Sequence, residues 1–375
     1  ELKKPTGVAG EAMLRAETPQ EQFNLIGAGR RNLIINGDNQ ISQRGTVTGI
    51  NTAENTYGGP DRRTLYSNSN GAVFTISQGT SGPSEFSNTA RIDCTTVSSA
   101  LTLNQEIKTE NAIEGFDVIR VGFGTSSAKP LTVSFWVKSN QAADFVLWFY
   151  RPDGARHTSL TYTITAADTW EYKTVTIQPD SSDPVTIDNT TGLYASFIIN
   201  SGPGYKSGTS PNGNWEDIVT ANRYVGLTAT IGNSTDDYFE WTGLQIETGK
   251  VATPFEHRSY GEELALCQRY YENLMTKETQ SMLASAFAYS AGQVQAIVRF
   301  AVDKRATPTM GYEVGIAYQG TGETGRTDIT PLFYIPSTKA VMIYANNGVS
   351  LTAGQGANLV NRDNGTGMVF ADAEL

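Results

Sequence analysis

Histidine and cysteine are almost missing from this chain: 375 residues hold two of each, His157, His257, Cys94 and Cys267. So few ligands leave no room for Cys/His zinc sites, iron–sulfur clusters or a disulfide-stapled framework. The two cysteines lie far apart and read as free thiols packed as small core hydrophobes. Charge is also scarce, at 18% of residues, and 28 Lys+Arg against 38 Asp+Glu leave a net charge of −10. A general nucleic-acid binder needs cations to displace phosphate counterions, and an anionic membrane needs them too, so neither partner is expected. No apolar run approaches the roughly 18 residues of a membrane helix, and no signal-peptide pattern opens the sequence, which starts on Glu1 rather than Met. Catalytic signatures are missing as well: there is no Walker lysine motif, no HExxH and no GxSxG. Gly320–Gly325 has GxGxxG spacing, but Asp328-Ile-Thr-Pro331 follows, so no phosphate-binding helix can start there and the segment reads as a loop.

What replaces the missing charge is Thr, Ser, Asn and Gly, a composition suited to sheets and turns. The length allows two or three domains. Residues 1–30 read as an assembly arm with a short helix over 19–26, opened by the capping box Thr18-Pro19-Gln20-Glu21. Residues 31–257 are strand and turn almost throughout. Expected strands are Asn32–Asn36, Val73–Ile76, Ala90–Cys94, Val118–Phe123, Leu131–Lys138, Phe145–Tyr150, Leu160–Ile164, Tyr172–Ile177, Tyr194–Asn200, Tyr224–Ile231 and Tyr238–Ile246. In Leu131–Val137 the odd positions are large and apolar, the period-2 mark of a half-buried strand. Tyr150-Arg-Pro-Asp-Gly154 is a turn. The pattern predicts an all-β antiparallel jelly roll or β-sandwich. A linking helix over 258–276 follows, begun by Ser259-Tyr-Gly-Glu262. Its Leu264, Cys267, Tyr271 and Leu274 form either an intramolecular core stripe or a seam at an oligomer axis. Residues 277–375 return to strands, among them Met310–Ala317, with a hairpin signal at Asn346-Asn-Gly348, and predict a small distal β-sandwich.

Few groups promise chemistry. His157 falls in a hairpin and His257 before the helix, neither beside a recognisable nucleophile. Paired carboxylates would suffice for glycoside hydrolysis, and Asp236-Asp237, Glu216-Asp217 and Asp180 with Asp183 are available, all in turn-rich stretches. Aromatics say more. Strand alternation puts Phe145, Leu147 and Phe149 on one face and Val146, Trp148 and Tyr150 on the other. One face covers the core; the other is a second packed surface or a binding platform. Trp148, Tyr150, Arg151, Asp153 and Arg156 are the residue types that stack on sugar rings and bind hydroxyls. Tyr205 and Trp215, in the Gly- and Pro-rich loop 201–217, join them as glycan candidates. Trp136 and Trp241 read as core and Trp170 as a strand-edge plug. Asn36 and Asp38 offer oxygens for Ca²⁺ or form an ordinary Asx turn; no other cofactor is expected.

Several strings resemble a known family. Arg31-Asn-Leu-Ile-Ile-Asn-Gly-Asp38 with Gln40–Gln43 resembles the opening of jelly-roll domains in fibre proteins of tailed bacteriophages. Leu131–Ser139, Asp168–Glu171 and Thr174–Ile177 resemble later strands of those domains. The longest match is Thr242–Glu247 running into Ala252–Ala265 and Cys267-Gln-Arg-Tyr-Tyr271, with Arg299-Phe300 and Arg305–Thr309 beyond. The resemblance covers 31–310. It implies a non-enzymatic virion fibre with carbohydrate-binding-module-like jelly rolls, usually a homotrimer, joined to other virion proteins through its arm and contacting a bacterial surface glycan or receptor. Gly58-Gly-Pro-Asp-Arg-Arg63 departs from the family's Asp-Arg-Trp, so no sugar site is carried over there. The alternatives are a polysaccharide depolymerase and a structural decoration that binds nothing.

Overall fold

The computed structural model describes residue 15 and residues 30–97, 100–275, 281–313, 315–320, 327–346, 352–361 and 368–375. The expected arm helix over 19–26, most of the Gly320–Arg326 loop and the Asn347-Gly348 turn lie outside the described residues. The chain forms two compact units, Glu1–Ser259 and Tyr260–Leu375.

The first unit is an antiparallel β-sandwich of jelly-roll type. Its strands are β1 (Val47–Ile50), β2 (Thr56–Tyr57), β3 (Thr64–Asn68), β4 (Val73–Gly79), β5 (Thr89–Thr96), β6 (Glu106–Glu114), β7 (Leu131–Ser139), β8 (Asp144–Arg151), β9 (Arg156–Thr163), β10 (Glu171–Ile177), β11 (Thr191–Ser201), β12 (Glu216–Asp217) and β13 (Tyr238–Thr248). One sheet has the order β1-β4-β5-β13-β7-β10, and the other β12-β9-β8-β11-β6-β3-β2. The alternation expected in β7 and β8 is realised: Val133, Phe135 and Val137 meet Phe145, Leu147 and Phe149 in the shared core. Phe135 packs edge-on against Phe197 of β11 at 5.0 Å, and Phe197 lies 5.7 Å from Trp241. Trp241 is fully buried. Both cysteines are free and buried. Burial, with Asp237 adding to it, pushes the Cys94 thiol up to about 11.

Three expected strands are something else. Asn32–Asn36 is a turn, because Asn36 adopts φ +59° and the amide side chains of Asn32 and Asn36 replace ladder partners for the backbone. Val118–Phe123 belongs to a short helix, Gly115–Val118, and the 3₁₀ turn Ile119–Val121 after it. Tyr224–Ile231 is a loop whose apolar residues bury against the sandwich rather than pair in a sheet. A further correction concerns Trp136: it sits opposite Tyr172 and Thr242 in the sheet and faces outward, half-buried.

The second unit begins with the helix Tyr260–Gln268 and continues as β14 (Tyr271–Met275), β15 (Met282–Ser290), β16 (Gln293–Arg299), β17 (Thr309–Glu313), β18 (Ile316–Gly320), β19 (Thr327–Asp328), β20 (Pro331–Tyr334), β21 (Ala340–Asn346), β22 (Gly356–Asn361) and β23 (Met368–Asp372). Sheets of order β14-β23-β17 and β19-β18-β22-β15-β16-β21-β20 share one core. The expected single strand Met310–Ala317 is thus two, parted near Gly315 at φ +105°. The linking helix is shorter than expected. Aromatic and β-prone Tyr270-Tyr271 ends it, and Tyr271 and Leu274 lie on β14, paired with β23. The proposed seam of Leu264, Cys267, Tyr271 and Leu274 is therefore not one helical stripe, and Cys267 and Tyr271 are buried.

Candidate functional site

The outward face of the seven-stranded sheet gathers most of the unusual side chains. Register sets three rows across it. Glu216, His157, Tyr150 and Tyr194 form one; Ser159, Trp148, Ser196, Glu110 and Thr64 the next; Thr161, Val146, Ile198, Lys108 and Tyr66 the third. Trp148 and Tyr150 stack at 5.4 Å with planes 5° apart, and Tyr150 stacks on Tyr194 at 6.2 Å. Ser196 is small, so the Lys108 ammonium reaches past it to lie 5.1 Å from the Trp148 ring and 5.2 Å from Tyr66. The loop from Gly202 onward brings in Tyr205 and Arg223, whose guanidinium lies 5.4 Å from Trp148 and 5.5 Å from Tyr205. Trp148 is left only 4% exposed and forms a floor. The half-buried rings of Tyr66, Tyr150, Tyr194 and Tyr205 face the solvent around it.

The polar groups here differ in how far they are satisfied. Glu110 accepts from Lys108 at 2.9 Å, Ser196 at 2.8 Å and Asn55 at 3.0 Å. Glu106 accepts from the Tyr224 hydroxyl. Burial alone would push Lys108 down, but Glu110 and Glu106 outweigh it and its pKa is raised, keeping it cationic. Burial, with Glu106 behind it, raises Tyr66 and Tyr205, so both hydroxyls stay protonated and able to donate. The Arg223 guanidinium makes no ion pair or hydrogen bond among the described residues, and its Nε is buried without a partner. Trp148 Nε1–H donates to His157 Nδ1 at 3.3 Å. The other ring nitrogen, Nε2, lies 3.3 Å from the Val219 N–H and 3.2 Å from Glu216. Burial lowers the His157 pKa, and Glu216 opposes it only in part.

The seven sequence-derived candidates therefore divide. Trp148, Tyr150 and Tyr205 belong to this face. Arg151, Asp153, Arg156 and Trp215 do not. Strand parity turns Arg151 inward with Phe149, where it is fully buried over Phe123 and bonded to Asp180 and the carbonyl oxygens of Ser182 and Asp183. Arg156 holds Asp180 at 2.8 Å, Asp217 at 2.7 Å and the Trp215 carbonyl at 3.1 Å. Trp215 packs edge-on against Phe123 and donates to the Gln178 carbonyl at 3.0 Å. Asp153 accepts from Thr186 N–H at 2.7 Å. These four lock the loops at one end of the sandwich. Lys108, Glu110, Tyr66, Tyr194 and Arg223 were not singled out from sequence. Glu106, Lys108 and Glu110 at spacing two carried the signal, since that spacing places them on one strand face.

Each carboxylate pair has at least one member held by protein partners. Asp180 sits between two arginines. Asp237 caps the Gly232, Asn233 and Ser234 N–H groups at 2.9–3.0 Å. Glu216 accepts from Asn222 at 2.9 Å. Asn36 and Asp38 are engaged with protein groups, apart from Asp38 Oδ1, which is buried without a hydrogen-bond partner. The Asn36 amide donates to Ile41 O and Asp61 O and accepts from Ile41 N–H, and Asp38 accepts from Gln40. Among the described residues no group of three or more His, Cys, Asp or Glu could hold a metal.

No protein-family model matches the sequence, and no curated protein matches it. Solved structures with related sandwiches include the enzymatically active domain of tailspike protein 4 of bacteriophage CBA120, 10% identical with a TM-score of 0.32. That match covers 58% of this chain and 21% of that one. The CBM22-1 xylan-binding domain of Paenibacillus barcinonensis Xyn10C is 9% identical with a TM-score of 0.29, over 60% of this chain and all of that domain. The family 11 carbohydrate-binding module of the Clostridium thermocellum cellulase Lic26A-Cel5E is 14% identical with a TM-score of 0.28, over 57% of this chain and 100% of the module. This chain thus spans about a fifth of the tailspike domain and the whole length of the two modules.

Proposed function

We propose that the chain is a non-enzymatic fibre protein of a tailed bacteriophage and that the outer face of its seven-stranded sheet binds a bacterial surface glycan. One observation carries the binding part: the Arg223 guanidinium lies unpaired between Trp148 and Tyr205, amid accessible tyrosine rings. Sugars offer C–H faces that pack on aromatic rings and paired hydroxyls that suit a guanidinium fork. The virion assignment rests on the sequence strings between Arg31 and Thr309. Attachment to other virion proteins through residues 1–30 belongs to the same reading.

Self-association as a homotrimer is also part of it. The outward face of the second unit's large sheet exposes Phe287, Ile297, Leu332 and Tyr334. Met342 and Tyr344 share that face by register. A chain of net charge −10 meets less self-repulsion at such an apolar patch, where Arg299 beside Ile297 adds a positive charge.

A glycan array tests the binding, with hydrolysis followed on each hit by reducing-end release. Binding without release, lost in Tyr150→Ala, is expected. Release of reducing ends would make the chain a depolymerase, and an array blank for wild type would leave a structural decoration.

A further inference from the structure

The opposite face of the same sandwich carries a second aromatic concavity, on the six-stranded sheet. It encloses about 220 Å³ between Trp136 and Tyr172 on one side and Phe86 and Phe255 on the other, with Ser134 at its base and Glu85 at its rim. Trp136 and Tyr172 are register partners across β7 and β10, their rings 5.4 Å apart. Phe86 and Phe255 meet edge-on at 5.1 Å. The β13 ladder shifts register between Thr242 and Gln245, and Gly243 there takes φ +61°. A Cβ at Gly243 would come within 2.6 Å of the Phe86 ring, so the wall depends on this glycine.

Two polar groups inside this enclosure are unused. Ser134 is only 4% exposed, yet its hydroxyl has no hydrogen-bond partner among the described residues, and neither has the Trp136 indole N–H. Neither atom is among the buried groups left without a partner, so both are open to solvent, where a bound molecule can offer them an acceptor or a donor. A space of about 220 Å³ has room for one sugar ring. A pyranose would lay its C–H faces on the indole and phenyl walls and offer hydroxyls to Ser134, Trp136 and Glu85. The lining contains one carboxylate and no cation, which turns away acidic sugars.

We infer that this pocket is a second carbohydrate site, taking a single neutral pyranose residue, on the sheet opposite the extended face. It stands apart from the reading of the first face, since no side chain is shared. Two sites on opposite sheets would let one unit hold a terminal or branch residue while the other face follows the chain.

Saturation-transfer NMR on the full chain tests this with methyl glucoside, methyl galactoside and N-acetylglucosamine as probes, and methyl glucuronide as the acidic control. Transfer to at least one neutral probe and none to the glucuronide is expected. Trp136→Ala and Tyr172→Ala should abolish it, and Ser134→Ala should weaken binding about tenfold, the effect of one hydrogen bond. Tyr172 lies exposed on an edge strand, so its variant stays informative if Trp136→Ala fails to fold. Leu332→Ala, in the second unit, should leave the transfer unchanged. The inference falls if no neutral probe shows transfer, if transfer survives in Tyr172→Ala and Ser134→Ala, or if Leu332→Ala removes it.

Discussion

At the residue scale, side-chain identity pointed to the right strand and only partly to the right face. Phe145–Tyr150 was legible as a platform strand because period-2 alternation fixes which residues share a face. Arg151 continues that strand on the inward side, so its guanidinium serves Asp180 and the loop carbonyls. Removing it strands a buried carboxylate beside Arg156. Arg151→Ala is expected to cost about 3–5 kcal/mol in urea unfolding and to leave glycan affinity intact well below the midpoint. Loss of affinity without loss of stability would place Arg151 in the binding face after all. His157 makes a second prediction. Its folded pKa is lowered by burial, so unfolding takes up a proton that the folded ring resists. The stability it confers is therefore full above the ordinary imidazole value of about 6.5 and drains away as pH falls through it. Thermal unfolding between pH 8 and 5 should fall more steeply for wild type than for His157→Gln. Equal slopes would show that His157 and its bond to Trp148 contribute nothing.

At the element scale, strands with regular alternation and flanking turns were readable, and irregular segments were not. Asn32–Asn36 looks like a strand by its isoleucines, but amide side chains that bond their own backbone hold it in a turn. Tyr224–Ile231 has strand composition because it, too, is buried, packing on the sandwich as a loop. β6 carries no apolar alternation to mark it, since Glu106, Lys108 and Glu110 take one face of it; in the fold they pair with one another and with Ser196 and Tyr224. The bulge in β13 is the element most open to test. Gly243→Ala would combine a positive φ with a Cβ against Phe86, and a cost of about 1–3 kcal/mol is expected. Phe86 should shift with it, visible as changed ring resonances. Wild-type stability and an unmoved Phe86 would mean the glycine is dispensable.

At the scale of the whole molecule, scarcity of His, Cys and charge foretold much of what the surfaces are. The proposed binding faces are built from tyrosine, tryptophan and a few cations placed by register, not from a bulk field, which at −10 opposes any anionic surface. Light scattering should therefore return a trimer mass that persists in high salt, because the patch of the second unit is mainly apolar and leaves little charge to screen. Replacing Ile297 and Phe287 with Lys should yield monomers; a monomeric wild type at micromolar concentration would refute self-association.

Calorimetric titration of the full chain with the surface polysaccharide picked out by the glycan array tests the central claim most directly. Wild type, Tyr150→Ala and Arg223→Ala would be compared at one salt concentration. Arg223 has no ion pair or hydrogen bond to lose, only its ring contacts with Trp148 and Tyr205, so its variant should lose about 1 kcal/mol of stability or less while affinity drops about tenfold or more. Undiminished affinity in both variants would contradict the assignment of the seven-stranded sheet's outer face as the glycan-binding surface.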